Sequence, residues 1–288
     1  MIAGARPIPR VHAPSCEEFR RSYERPRRPV VITGALEGRA ALSTWSLEHL
    51  AAHGDLVVRV RISERGAPQV FDGDTAASFD LPAMPLRAAL ARIAEPGGEV
   101  WYVQHGDLRR MPELAAEIGS LEYLPPRLAS RSLLWVCGPG TINPLHWDTN
   151  HVFLAQVRGD KRFVVFPPED SPKLASLVHR TVWRTTALDL SSVDHARFPD
   201  VARTSPWSCT LRPGELLFIP YGWWHYMECD DECVSVSWWW APSLFAHVRD
   251  SARERVASIV QRTLRRVNAQ RDRRSATSRA SPARRPET

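Results

Sequence analysis

His146 and Asp148 stand two residues apart in Asn143-Pro-Leu-His-Trp-Asp148, and on an extended strand side chains two apart project from the same face. An imidazole and a carboxylate therefore converge on one point. Arg158-Gly-Asp-Lys161 then reads as a tight turn, because Gly159 and Asp160 tolerate positive φ. It starts a returning strand at Lys161 that lies near the first. A further imidazole, His225, follows a polar turn at Pro213-Gly214, the apolar run 216–219 and a second turn at 220–222. Two histidines and one carboxylate make the facial set of non-haem Fe(II) chemistry, with three positions open for a cosubstrate and oxygen.

The chain holds other His-x-Asp pairs, and their settings separate them. His53-Gly-Asp55 follows a helical pattern with Gly54 at its end, and His105-Gly-Asp107 falls where a strand exits into a loop. Both read as surface punctuation. Only His146-Trp-Asp148 lies in an apolar strand with a later histidine to match. Trp147, by alternation, faces away from the metal. His151, His179 and His195 read as loop residues. The tryptophans at 223, 224 and 238–240 are mostly core; alternation sends at least one to the opposite face, where an aromatic wall for a substrate is the alternative.

The elements that must position these groups follow from periodicity. Ser15-Cys-Glu-Glu18 is a capping box opening a helix to about residue 23, ended by Pro26. Helices are expected at 43–53, 86–93 and 111–118, the last with Pro112 near its start. Strands are expected at 29–34, at 56–62 with Val58 and Val60 on one face, and at 99–104. From residue 130 short apolar runs dominate, at 133–137, 145–148, 153–157, 162–166, 216–219 and 233–240. Such a series predicts a mostly β fold, a double-sheet jelly roll of the cupin type with the N-terminal helices packed outside. The irregular stretch 167–213 reads as a functional loop. Apolar residues from Leu244 to Val267 recur at helical spacing, a C-terminal amphipathic helix over 243–268 that packs on the sandwich or forms a homodimer.

The domain organisation expected is a helical lead-in over 1–25, the cupin-like domain over 26–242, that helix, and a basic disordered tail over 269–288. With 288 residues, 43% apolar and 11 Trp, the chain can bury a sizeable core. The net charge is +6, and residues 265–288 alone carry eight Arg against Asp272 and Glu287. The rest of the chain is formally neutral, which argues against a basic groove in the domain. The tail reads as disordered, with nucleic acid or an acidic partner as the alternative. Five cysteines without a Cys-x-x-Cys pair read as free thiols. No apolar leader or long apolar run is seen, so no membrane is expected and the cytoplasm is the default compartment.

In this order Pro29-Val-Val-Ile-Thr-Gly-Ala35, Trp45 to Leu50, Tyr102-Val-Gln-His105, Gly140 to Asp148, Gly159-Asp-Lys161, Pro213-Gly-Glu215 and Gly222-Trp-Trp-His225 look like family landmarks. The sequence resembles the cupin-like, JmjC-type Fe(II)/2-oxoglutarate-dependent oxygenases, near the asparaginyl hydroxylase of hypoxia-inducible factor and small JmjC-only protein hydroxylases. The resemblance implies a double-stranded β-helix, His146, Asp148 and His225 as iron ligands, and Lys161 as the cation for the distal carboxylate of 2-oxoglutarate. Tyr102 matches a tyrosine that helps bind that carboxylate, and Asn143 stands where Thr or Ser is usual. Val152 and Ser237 stand where relatives carry Asn; Ser237 is counted with the cosubstrate site. The implied reaction consumes 2-oxoglutarate and O2, releases succinate and carbon dioxide, and hydroxylates a C–H bond, with no side-chain general base. A polypeptide side chain is the leading substrate, by hydroxylation or demethylation. A small molecule or modified RNA base, and a non-catalytic cupin binding module, are the other readings.

Overall fold

In the computed structural model of the protein, the described residues are 4–64, 81–95, 97–125, 132–174, 186 and 188–242. The C-terminal helix and basic tail predicted from the sequence lie outside them, as does His179. Met1–Pro242 forms a compact unit.

Fourteen strands are seen among the described residues. In chain order they are Arg6–Pro7 (β1), Arg10–His12 (β2), Val30–Thr33 (β3), Val57–Glu64 (β4), Ala83–Pro85 (β5), Glu99–Asp107 (β6) and Leu133–Cys137 (β7). Then follow Ile142–Trp147 (β8), His151–Arg158 (β9), Lys161–Phe166 (β10), Trp207–Leu211 (β11), Leu216–Ile219 (β12), Trp224–Glu228 (β13) and Cys233–Trp240 (β14). They form a five-stranded sheet, β1-β11-β10-β13-β8, and a nine-stranded sheet, β2-β3-β12-β9-β14-β7-β6-β4-β5. This is the double-sheet jelly roll expected. The first 25 residues do more than supply a helix, since β1 and β2 each join a sheet in parallel.

Period-two alternation divides the core into three. On the large sheet Val30, Phe153, Ala155, Phe218, Val234 and Trp238 face the helices, while Val31, Leu154, Leu217, Ile219 and Trp239 face the small sheet. The outer face of the small sheet buries Leu145, Val164, Phe166 and Trp224 under Leu174, Leu188, Phe198 and Val201. Each such side chain contributes about 1.5–3 kcal/mol when fully buried, and among the described residues only toward the β4–β5 edge does the large sheet expose large apolar residues, Val57 and Ile62. The three consecutive tryptophans behave as alternation requires: Trp238 and Trp240 are core and Trp239 is turned to the other side.

The helices are Cys16–Phe19 (α1), Ala41–Thr44 (α2), Leu47–Ala52 (α3), Leu86–Ala94 (α4), Pro112–Ile118 (α5) and Ser171–Leu174 (α6). Ser15 caps α1 by accepting from the Glu18 N–H at 3.2 Å, and the helix widens into a π turn, Arg20–Glu24. The single helix expected over 43–53 is two, because Ser46 caps a fresh start by accepting from the His49 N–H.

Two further expectations are corrected. Arg158–Lys161 is not a hairpin: β9 pairs with β12 and β14, while β10 pairs with β11 and β13 in the opposite sheet. Gly159, at φ 68°, lets the chain cross between layers. Nor are the described parts of 167–213 a loose loop. They contain β11 and close the third core, with Trp224 Nε1 donating to Ser171 Oγ at 2.8 Å and Asp170 accepting from Lys173 and from the Ser205 N–H.

Candidate metal and cosubstrate site

Strand register places the two imidazoles. His146 of β8 and His225 of β13 are direct cross-strand partners in an antiparallel pair, so their side chains leave the sheet on the same face. Their ring centroids are 4.1 Å apart. Asp148, just past the end of β8, brings a carboxylate oxygen to 3.4 Å from His225 Nε2. One ligand atom from each of the three lies within 4.8 Å of the others, a spacing that fits one metal ion.

The donor set suits a metal in its chemistry as well as its spacing. His146 Nδ1 lies 2.7 Å from the Pro144 carbonyl and His225 Nδ1 lies 3.1 Å from the Trp223 carbonyl. A carbonyl only accepts, so each Nδ1 carries the proton and each Nε2 presents a lone pair inward. Desolvation pulls the His146 pKa down to about 4, so the ring is neutral at physiological pH. Neutral imidazole is the form that binds a metal.

Across the cavity from these ligands lies Lys161, only 1% exposed. It has no ion-pair partner among the described residues, and a buried charge without a counter-charge costs about several kcal/mol. Its described neighbour is the Cys137 thiol, which burial holds well above its ordinary pKa and thus protonated. Tyr102, 3% exposed, lines the same cavity, and burial raises its phenol as well. Asn143, Val152 and Ser237 line it too. The structure thus brings together every residue that the sequence placed in the site. Ser237 has a further engagement: its hydroxyl accepts from Trp135 Nε1 and Trp239 Nε1, each at 2.7 Å.

Two histidines differ from expectation. His151 is a buried β9 residue rather than a loop residue, 4% exposed, with Nδ1 accepting from the Tyr221 N–H at 3.3 Å. His105, read as punctuation after a strand, lies inside β6, its ring 4.5 Å from Trp135 of the cavity wall. Its positive φ of 55° is invisible in the sequence, since nothing but a bulge puts it there.

His151 makes the fold acid-sensitive. Burial lowers its pKa to about 4 from an ordinary 6.5, so between those values the unfolded chain binds more protons and stability rises with pH. The contribution is complete above about pH 6.5 and lost as pH falls toward 4, about 3 kcal/mol in all at 1.36 kcal/mol per unit. Urea unfolding of the metal-free protein from pH 7.5 to 4 is expected to show this slope. His151→Phe is expected to remove only its own share of the slope, because His146 with a pKa also near 4 supplies a like share, while costing about 1–3 kcal/mol at pH 7.5 for the abandoned Tyr221 N–H.

Comparison with known proteins agrees with this architecture. Residues 16–245 match the cupin-like domain family. The chain is 32% identical to Lysine-specific demethylase 8 of Xenopus tropicalis over 81% of its own length and 53% of that protein's. It is 28% identical to the human bifunctional peptidase and (3S)-lysyl hydroxylase JMJD7, covering 79% of this chain and 81% of the relative. With tRNA wybutosine-synthesizing protein 5 of Danio rerio the identity is 28%, over 78% and 72%. The chain spans about half the length of the demethylase relative. No helix among the described residues is long and apolar enough to cross a membrane. With the match covering most of the chain and the jelly roll holding its inward-facing donors, the protein belongs to the cupin-like domain family.

Proposed function

We propose that this chain is an Fe(II)- and 2-oxoglutarate-dependent oxygenase that hydroxylates a C–H bond, with a polypeptide side chain as substrate. The observation that carries the reading is the pairing of two sites in one cavity: three metal-type donors within 4.8 Å and a buried lysine without a counter-charge. His146, Asp148 and His225 would hold iron. Lys161, with Tyr102 and Asn143 beside it, would hold the distal carboxylate of 2-oxoglutarate, a charge-assisted contact in a dry setting. Bound iron, 2-oxoglutarate and O2 supply the oxidative decarboxylation and the oxygen atom. The chain's own part is to keep both imidazoles aimed and His146 neutral, compensate the dicarboxylate, and exclude water through the apolar walls from Phe163, Ile219 and Met227. Two of the relatives named above carry lysine in their names, which supports a polypeptide substrate. The tRNA-modifying relative supports a modified RNA base as the second reading. A non-catalytic binding module has no use for a buried lysine facing an intact donor set.

The test is anaerobic. Fe(II) is added to the metal-free protein, then 2-oxoglutarate, and the visible metal-to-ligand charge-transfer band of the chelate is recorded. The band is expected, and His146→Ala is expected to abolish it by removing one of three protein ligands, with iron affinity falling at least about 100-fold. Iron binding without the band would overturn the cosubstrate assignment and favour the binding module. Succinate release with candidate peptides or modified RNA then separates the two substrate readings.

A further inference from the structure

Outside the cavity, two pairs of donors face each other across two helices. His49 stands in the last turn of α3 and His53 at its C-cap, while Glu113 and Glu117 stand on α5. Residues four apart share one helix face, so each helix offers two donors on one side. The pairs meet. His49 Nε2 lies 2.9 Å from Glu117 Oε2 and 3.1 Å from its Oε1, and His53 Nδ1 lies 3.9 Å from Glu113 Oε2. The two imidazole centroids are 5.6 Å apart.

These spacings are near those around a bound metal. Tetrahedral zinc holds its ligand atoms about 3.4 Å apart, and the centroids of two ligating imidazoles about 5 Å apart. Two imidazoles and two carboxylates fill four positions, and the carboxylates cancel the charge of the ion. Glu117 is already oriented for the task. Trp45 Nε1 donates to its Oε2 at 2.6 Å and Thr44 Oγ1 donates to the same oxygen at 3.4 Å, which leaves Oε1 toward His49. Burial favours the neutral acid, but the bonds from Trp45 and His49 outweigh it and hold the carboxyl below its ordinary pKa. The His49, His53 and Glu117 side chains are 23–31% exposed and Glu113 67%, so an ion can reach them from solvent.

We propose that His49, His53, Glu113 and Glu117 form a second metal site, for zinc or a like divalent ion, that clips α3 to α5. Among the described residues only the cavity donors already meet three at a time within 4.8 Å, so the helical four close on the ion by side-chain rotation and their site is the weaker of the two. In the metal-free protein His49 Nε2 carries a proton toward Glu117, since a carboxylate only accepts, and zinc displaces it. His49 and Glu117 are 68 residues apart in the chain, and their helices bring Leu47, Leu50, Leu114 and Ile118 to one core. An ion held between them stabilises the fold by binding the folded chain alone. His53-Gly-Asp55, which reads in the sequence as surface punctuation, thereby supplies a ligand. The site stands apart from the oxygenase reading and does not depend on it.

Zinc titration of the metal-free full chain, followed by calorimetry and thermal unfolding, tests the proposal. The unaltered chain is expected to take two equivalents. His146→Ala, with the cavity donors broken and the helical four intact, is expected to keep one. In that background, zinc at about 100 times its Kd is expected to raise the melting temperature by about 5 °C or more. Adding His49→Gln or His53→Gln is expected to weaken this binding at least about 10-fold and to abolish the rise. Glu113→Gln is expected to weaken it too, and its exposure keeps packing out of the result. A His146→Ala protein that takes no zinc, or a zinc response that survives either histidine substitution, would overturn the site and leave the four residues as a helix–helix contact. That contact alone predicts a lower metal-free melting temperature with no change in zinc binding.

Discussion

Replacing Lys161 with Met is expected to make the metal-free protein more stable and to remove most of its hold on 2-oxoglutarate. The ammonium is 1% exposed with no ion pair among the described residues, so the empty site holds a buried charge that folding must desolvate. Exchanging buried ionic groups for apolar ones of similar volume stabilises by about 1–4 kcal/mol in favourable cases, which raises the melting temperature by about 2–4 °C per kcal/mol in a domain of this size. The same exchange forfeits a charge-assisted contact worth about 1.5–3 kcal/mol, so 2-oxoglutarate is expected to bind about 10- to 100-fold more weakly. Iron affinity is expected to hold. Thermal unfolding and anaerobic titration of the charge-transfer band read the two effects separately. A lower melting temperature with unchanged 2-oxoglutarate affinity would show that Lys161 serves the fold and not the cosubstrate.

Gly159→Ala is expected to be among the most damaging single-methyl additions. At φ 68° an added Cβ would lie 2.2 Å from the Glu232 carbonyl oxygen and 2.8 Å from Cys233 Sγ. The nearer atom is backbone, so no rotamer change relieves the clash, and about 4 kcal/mol or more of stability should be lost. Adding Cys233→Ala is expected not to rescue it. Gly38→Ala is the control: φ is 73° but nothing lies within 4 Å of the added Cβ, so only the conformational cost remains, about 1 kcal/mol. Urea denaturation of the three variants decides this. Equal midpoints for Gly159→Ala and Gly38→Ala would show that the layer-crossing turn is not tightly packed.

The metal donors were legible because their signal is local. A two-residue spacing on a strand aims His146 and Asp148 together, whatever the rest of the fold does. His225 is legible from the two turns and the apolar run that precede it, although its strand β13 is not: Trp224-His-Tyr-Met-Glu228 has one face in the outer core and the other in the cavity, which erases the polar alternation that marks a half-solvated strand. β11 was hidden for a related reason, with Ser208 and Thr210 interleaved among residues bound for the core. The jelly roll followed from the number and length of apolar runs. Their distribution between sheets did not, because turn chemistry at Gly159 permits reversal without saying which neighbour the next strand will take. His105 is exposed near the end of its strand, as expected, but its bulge was not legible, because it lies in one dihedral angle set against two tryptophans far along the chain, Trp135 and Trp239.

The carbonyls that orient the two imidazoles belong to Pro144 and Trp223, each two residues before its histidine on the same stretch of chain. Each ligand thus travels with its own aiming device, and no remote side chain is needed to set either tautomer. What the rest of the protein must guarantee is a single alignment, the pairing of His146 with His225. The centre should therefore fail in an all-or-none way. Substitutions that weaken the fold but preserve that alignment leave metal affinity nearly intact until global unfolding, whereas a one-residue slip of either strand turns a ring out of the cavity altogether. Mutational tolerance of the metal site would then map onto one strand pair, not onto distance from the metal.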